Sequence, residues 1–179
     1  MKRALSMMII LACAVCGFTQ DKAWPQEPTS FRSVPFGASE KEAGKIVKTG
    51  LCFNATGDRG CSADFELAGI AIHTIMIFRA DQFTSVQGKF PSDSYSTLRQ
   101  VFVEKYGIPS DTKQSTIQNR AGAKFSQESL IWDGPKIRLQ ISHYGDTVTE
   151  GEFSLMTQKM RAEILKDADA KTSKAKDDL

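Results

Sequence analysis

Apolar and polar residues alternate along this chain in short runs whose period changes repeatedly, a pattern that predicts mixed α and β structure. Residues 31–36 alternate as a short strand, with Phe31, Ser33 and Pro35 facing one way and Arg32, Val34 and Phe36 the other, before Gly37 ends it. Residues 68–78 carry isoleucine on both alternating sets, as a central strand covered on both faces would. Asp81 and Gln82 then turn the chain and residues 83–90 return as a second strand. Two further strands, 128–132 and 136–143, are joined by Asp133, Gly134 and Pro135. Leu130, Trp132, Ile137, Leu139 and Ile141 fall where they share a buried face. A last strand follows over 151–156, through Phe153 and Leu155.

The helical period occurs in two main places. Ser39 followed by Glu42 has the capping-box spacing, in which each side chain satisfies the other residue's free backbone N–H. Ala43, Ile46 and Val47 form the inward stripe of that helix, and Gly50 stands where a carboxy-terminal cap would be. The second helix begins after Pro91, with Ser92 or Asp93 as its cap. Its apolar face is Tyr95, Leu98, Phe102 and Tyr106, with Val101 beside them. Gly107, Ile108 and Pro109 stop it, the glycine supplying the left-handed cap and the proline preventing continuation.

Where periodicity fails, composition takes over. Residues 111–124 are polar and predict a long loop or ragged edge. A short helix through Met160 and Ile164 precedes a segment, 167–179, built almost wholly from Lys, Asp, Ala, Ser and Thr. Such a segment buries too little apolar area to offset its ordering entropy. The organisation that follows is a signal peptide over 1–17, a linker over 18–30, an α+β domain over 31–158 and a charged helical or disordered tail over 159–179. The fold class is a single α+β domain, a mainly antiparallel sheet with two main helices packed on it and one disulfide.

The signal reading rests on Lys2 and Arg3, the apolar run Ala4 to Val15, and small residues such as Gly17 at the cleavage region. A retained membrane span needs about twenty apolar residues, and Gly17, Thr19, Gln20 and Asp21 interrupt the run first. Ile10, Leu11, Ala12 and Cys13 loosely match a bacterial lipobox, so acylation at Cys13, giving a membrane-anchored lipoprotein, is the alternative to a soluble periplasmic or secreted protein. The net charge of +2 includes Lys2 and Arg3, so the remainder is near neutral and lacks the basic excess that nucleic-acid binding requires. Membrane association is expected only through Cys13.

Of the four cysteines, Cys13 and Cys16 fall in the cleaved segment, leaving Cys52 and Cys61 as an even pair in an oxidising compartment. A disulfide between them is predicted, across a loop whose Asn54, Gly57, Asp58 and Gly60 supply turn chemistry. The spacing is not C-x-x-C and no histidine is near in sequence, so a redox or metal pair is disfavoured.

Phe36-Gly37-Ala38-Ser39 with Glu42, the pair of strands bearing Phe78, Phe83, Val86 and Phe90, and the helix end Glu104-Lys105-Tyr106-Gly107-Ile108-Pro109 form one pattern with the strands around Trp132 and Ile137 to Ile141. That pattern resembles small exported bacterial α+β proteins with an F-G-x-S-x-x-E opening, over residues 31–156. The opening is also similar, more distantly, to small lipoproteins of outer-membrane assembly, although this chain is longer and has an extra hairpin and helix. What the resemblance implies is an envelope protein without an assigned activity.

Candidate chemistry is sparse. His73 and His143 are the only histidines, each lone on a strand without an i, i+4 partner, so structural roles are expected. No serine lies in a G-x-S-x-G elbow, and Gly57-Asp58-Arg59-Gly60 lacks the spacing and lysine of a P-loop. Asp64 with Glu66 and Glu150 with Glu152 are acidic pairs that read as solvated surface. Asn54-Ala55-Thr56 and the terminal Lys176-Asp177-Asp178-Leu179 match eukaryotic glycosylation and retrieval patterns short enough to arise by chance. No catalytic, metal or cofactor residue is therefore assigned, and no cofactor is expected. The expected function is a non-enzymatic envelope binding or accessory module whose partner is an envelope protein or cell-wall component. The alternatives are a small periplasmic hydrolase with an unfamiliar site and an inhibitor of a secreted hydrolase acting through the cysteine loop.

Overall fold

The computed structural model describes residues 24–177 apart from Thr56. The expected signal segment, with its lipidation candidate Cys13, lies outside the described residues.

The chain first forms a small hairpin, β1 (Ser30–Phe31) and β2 (Val34–Pro35), then helix α1 (Glu40–Ile46). Next come β3 (Cys52–Ala55), β4 (Asp58–Ser62), β5 (Phe65–Leu67), β6 (Ile70–Arg79) and β7 (Gln82–Pro91). A 3₁₀ turn over Ser92–Ser94 leads into α2 (Tyr95–Tyr106). The rest is β8 (Asp111–Gln118), β9 (Lys124–Asp133), β10 (Ile137–Ser142), β11 (Glu150–Thr157) and α3 (Gln158–Asp177). Nine strands form one antiparallel sheet in the order β3-β4-β6-β7-β11-β10-β9-β8, with β5 also paired to β6. The last strand, β11, inserts between β7 and β10 and so closes the sheet across a long stretch of sequence.

One register line crosses nearly the whole sheet: Cys52, Cys61, Met76, Val86, Leu155, Leu139 and Trp132 stand opposite one another in turn. Side chains opposite one another point to the same face, so this line lays out the core. All but Cys52 are buried. The predicted shared face of Leu130, Trp132, Ile137, Leu139 and Ile141 is buried in full. Helix α2 covers it with Tyr95, Leu98, Phe102 and Tyr106, also buried, and Phe102 packs on Phe153 with ring centroids 5.4 Å apart. Gly107 ends α2 at φ +79°, the left-handed geometry that only glycine adopts cheaply.

The capping box at Ser39 and Glu42 is formed as expected. Its helix is shorter than the spacing to Gly50 suggested, because Val47 is already extended. Ala43 and Val47 are buried but Ile46 stays exposed. Gly50 instead sits against Ser62, where a side chain would collide with the hydroxyl.

Several expectations are corrected. The 31–36 segment is a hairpin and not one strand: Arg32 and Ser33 occupy the left-handed region at φ 48° and 68°, so Phe31 and Val34 both turn into the core. The β6 strand is covered on one face only; Ile72, Thr74, Met76 and Phe78 are buried while the alternate set is partly or fully exposed. The cysteine segment is the paired hairpin β3–β4 and not an open loop. No serine or aspartate side chain caps α2, which is entered through the 3₁₀ turn. Of the long loop or ragged edge expected over 111–124, the structure takes the second form over 111–118, which make the edge strand β8. The charged tail, expected as helical or disordered, takes the helical form as the continuation of α3, and with residues 167–173 exposed its order there comes from local hydrogen bonding and not burial.

Residues 24–29, expected as linker, lie on the domain. Trp24 donates its indole N–H to the Tyr106 carbonyl at 2.7 Å, and Glu27 accepts from the backbone N–H of Lys136 and Ile137. Trp132 donates likewise to the Gly107 carbonyl at 2.8 Å, so two indoles satisfy carbonyls that the end of α2 leaves free.

Candidate functional site

The face of the sheet opposite α1 and α2 carries two adjacent register rows. One runs Ile75, Gln87, Ser154, Gln140, Ile131 and the other His73, Lys89, Glu152, Ser142, Ser129. At their centre β7, β11 and β10 bring Gln87, Lys89, Gln140, Ser142, Glu152 and Ser154 around a depression of ≈ 270 Å³. Asp146, from the loop between β10 and β11, forms its rim. At one end of this face Arg79 pairs with Glu163 and Asp133 with Arg161, which ties the first turns of α3 there and leaves the middle open.

The depression is polar and internally braced. Lys89 Nζ donates to Asp146 at 2.7 Å, with Glu150 at 3.8 Å. The buried Ser142 and Ser129 hydroxyls share a hydrogen bond of 2.9 Å, and the Gln140 amide donates to Ser142 at 3.1 Å. Burial, reinforced by the Asp146 charge, pushes the Glu152 carboxyl above its ordinary range against the pull of Lys89. Amides, hydroxyls and one half-buried carboxyl can donate to and accept from a polar ligand. The acidic residues Glu150 and Glu152, expected as scattered surface charge, are thus brought together with Asp146 around one lysine.

No histidine base accompanies the serines of the depression. Among the described residues neither histidine hydrogen-bonds a serine or cysteine. His73 is exposed and pairs with Asp64 at 3.1 Å, holding that carboxyl below its usual range, while Asp64 also accepts from the Thr74 backbone N–H. His143 is stacked between Tyr95 and Tyr144, with centroids 4.7 and 4.0 Å away. Glu66 lies on β5 and does not join Asp64 in this pair.

Cys52 and Cys61 form the predicted disulfide, their Cα atoms 4.1 Å apart. The Glu40 carboxylate lies within 4.8 Å of both sulfurs. With the sulfurs bonded to each other and Glu40 paired to Arg59, no thiolate remains to hold a metal there. Phe53 on the hairpin and Leu51 just before it are exposed, and the Phe53 ring lies against Gly60 where a side chain would otherwise stand. A second, more apolar depression of ≈ 550 Å³ lies at the end of α2 between Trp24, Ile108 and Trp132.

The outward rows were missed from sequence, because alternate polar residues on β7, β10 and β11 read as ordinary solvent-facing positions. Only the insertion of β11 between the other two makes them converge.

A scan against protein-family models finds no match, and a search of curated proteins finds none either. Among solved structures, a cysteine-rich secretory protein from Staphylococcus aureus aligns with 11% identity and a TM-score of 0.37, covering 70% of this chain and 44% of that one. The chain spans less than half the length of that protein, and a likeness this slight carries no argument.

Proposed function

We propose that this chain is an exported cell-envelope protein that works by binding, presenting the open face of its sheet to an envelope protein or cell-wall component. The observation that carries the reading is the depression among Gln87, Lys89, Gln140, Ser142, Glu152 and Ser154: a sheet face left uncovered at its centre, furnished with hydrogen-bonding groups and lacking a nucleophile with its base. Export is supported by the charged and apolar start of the sequence and by the Cys52–Cys61 disulfide, which persists in an oxidising compartment. Without acylation at Cys13 the protein is soluble in the periplasm or outside the cell. With it, the same domain is tethered to a membrane.

Affinity capture from chemically cross-linked envelope tests the reading. Wild type retains a specific partner, and a variant carrying Gln87→Arg and Ser154→Arg loses it while keeping its melting temperature. Absence of any specific partner contradicts it.

A small hydrolase is the second reading, favoured by the raised Glu152 carboxyl beside Asp146. Turnover of cell-wall fragments that disappears in Glu152→Gln would establish it in place of the first. Inhibition of a secreted hydrolase through the 53–60 hairpin is the narrowest form of binding, and a lysozyme inhibition assay without effect removes it.

A further inference from the structure

The sheet has two edges of different character. β3 is four residues long and cross-linked to its neighbour, whereas β8 is eight residues long and carries no proline. Its register with β9 is unbroken from Asp111 to Gln118, without a bulge. Seven of its eight residues are exposed, Ile117 being the exception. Natural sheets usually protect such an edge. Here the one lysine, Lys113, is offset by Asp111, and residues 114–118 carry no charge.

Two hydrogen bonds fix which backbone groups face outward. Asn119 N–H bonds the Ala123 carbonyl in the register of the β8–β9 pairing, and His143 N–H bonds the Glu128 carbonyl on the far side of β9. Bonding alternates along antiparallel strands. Residues 111, 113, 115 and 117 therefore bond to β9, while Thr112, Gln114, Thr116 and Gln118 point their N–H and C=O away from the sheet. Among the described residues no hydrogen bond reaches these outward backbone groups.

We propose that β8 pairs antiparallel with the β8 of a second copy of this chain, about a two-fold axis through Ser115. Outward groups can meet only outward groups, and this register uses all of them: Thr112 opposite the partner's Gln118 and Gln114 opposite the partner's Thr116, each reciprocally. Ser115 meets its own copy. Lys113 stands opposite the partner's Ile117, over which its methylenes can lie, and Asp111 opposite the partner's Asn119, so no like charges face each other. A register centred on Lys113 would oppose two lysines. The strand is thus complementary to itself, and a second copy fits it without a new sequence.

Sedimentation velocity of the purified protein, from micromolar to millimolar concentration, tests the pairing. A reversible dimer is expected, weak because a single strand pair buries little area. Thr116→Pro removes only an outward N–H, which edge strands tolerate, and is expected to weaken the dimer at least tenfold while leaving the melting curve in place. If that variant fails to fold, cysteine cross-linking decides. Ser115→Cys is expected to give a disulfide-linked dimer under mild oxidation, and Lys113→Cys to give far less. A protein that stays monomeric throughout, a dimer indifferent to Thr116→Pro, or equal cross-linking from both cysteine positions overturns the proposal. A monomer that instead takes up an extended peptide of another protein on β8 overturns it equally.

Discussion

Phe153 on β11 lies across the face of Gly88 on the neighbouring strand β7, its ring occupying the space a side chain there would fill. The pair joins the core to the floor of the outward depression, which both residues line. Gly151 receives the Phe90 ring in the same way, so two glycines on adjacent strands are each covered by an aromatic ring from the other strand. Gly88→Ala therefore displaces Phe153 and is expected to lower stability by about 1 to 3 kcal/mol, as overpacking of a filled core does. Urea unfolding measures it, and an unchanged midpoint would show that the ring moves aside freely.

Removing the cross-strand disulfide acts on the unfolded chain as well as on the edge. Replacing both Cys52 and Cys61 by serine is expected to cost about 2 to 3 kcal/mol, the chain-entropy value for so short a loop. Hydrogen exchange should quicken first in β3, the edge strand that the disulfide pins to β4. Equal protection of β3 with and without the disulfide would contradict this.

Arg79 binds Asp58 through two nitrogens, at 2.7 and 2.8 Å, and reaches Glu163 on α3 with a third at 3.1 Å. The Asp58 contact is bidentate and three-quarters buried or more on both sides, the Glu163 contact more open. Asp58→Asn is therefore expected to cost about 1.5 to 3 kcal/mol, in the range for hydrogen bonds to charged groups. Glu163→Gln should leave global stability near wild type and loosen only the start of α3. Thermal melts and hydrogen exchange read the two effects separately.

Glu152 gives a pH dependence of definite sign. Its folded pKa is raised by burial and by Asp146, so protonated Glu152 favours the fold. That contribution is fully present below the ordinary glutamate range and is lost as pH rises through the folded value. Glu152→Gln is expected to raise the melting temperature at neutral pH and to bring no gain below about pH 4, near the unfolded glutamate pKa. A variant less stable than wild type at neutral pH would mean that the carboxylate holds a partner.

How much of this was legible in the sequence depends on how each residue meets water. Helix α2 was clear because Tyr95, Leu98, Phe102 and Tyr106 all face one apolar surface, and Gly107 with Pro109 marks its end. Strands β9 and β10 were clear because Leu130, Trp132, Leu139 and Ile141 occupy every second position and share the buried face. β8 could be read only as a long loop or ragged edge, because a strand exposed on both faces has no reason to alternate. The turn at Arg32 and Ser33 gave no signal either, since neither residue favours the left-handed region that both adopt. The outward site depends on Lys89, Ser142 and Glu152 standing side by side, a consequence of β11 pairing with both β7 and β10 that no local pattern carries.

The most direct measurement places a photo-cross-linking amino acid at Gln87, on the open face, and in a second variant at Gln100, exposed on α2, in cells that export the protein. A discrete adduct from Gln87 in the envelope fraction and none from Gln100 is expected. No adduct from Gln87, or the same adduct from both positions, would contradict it.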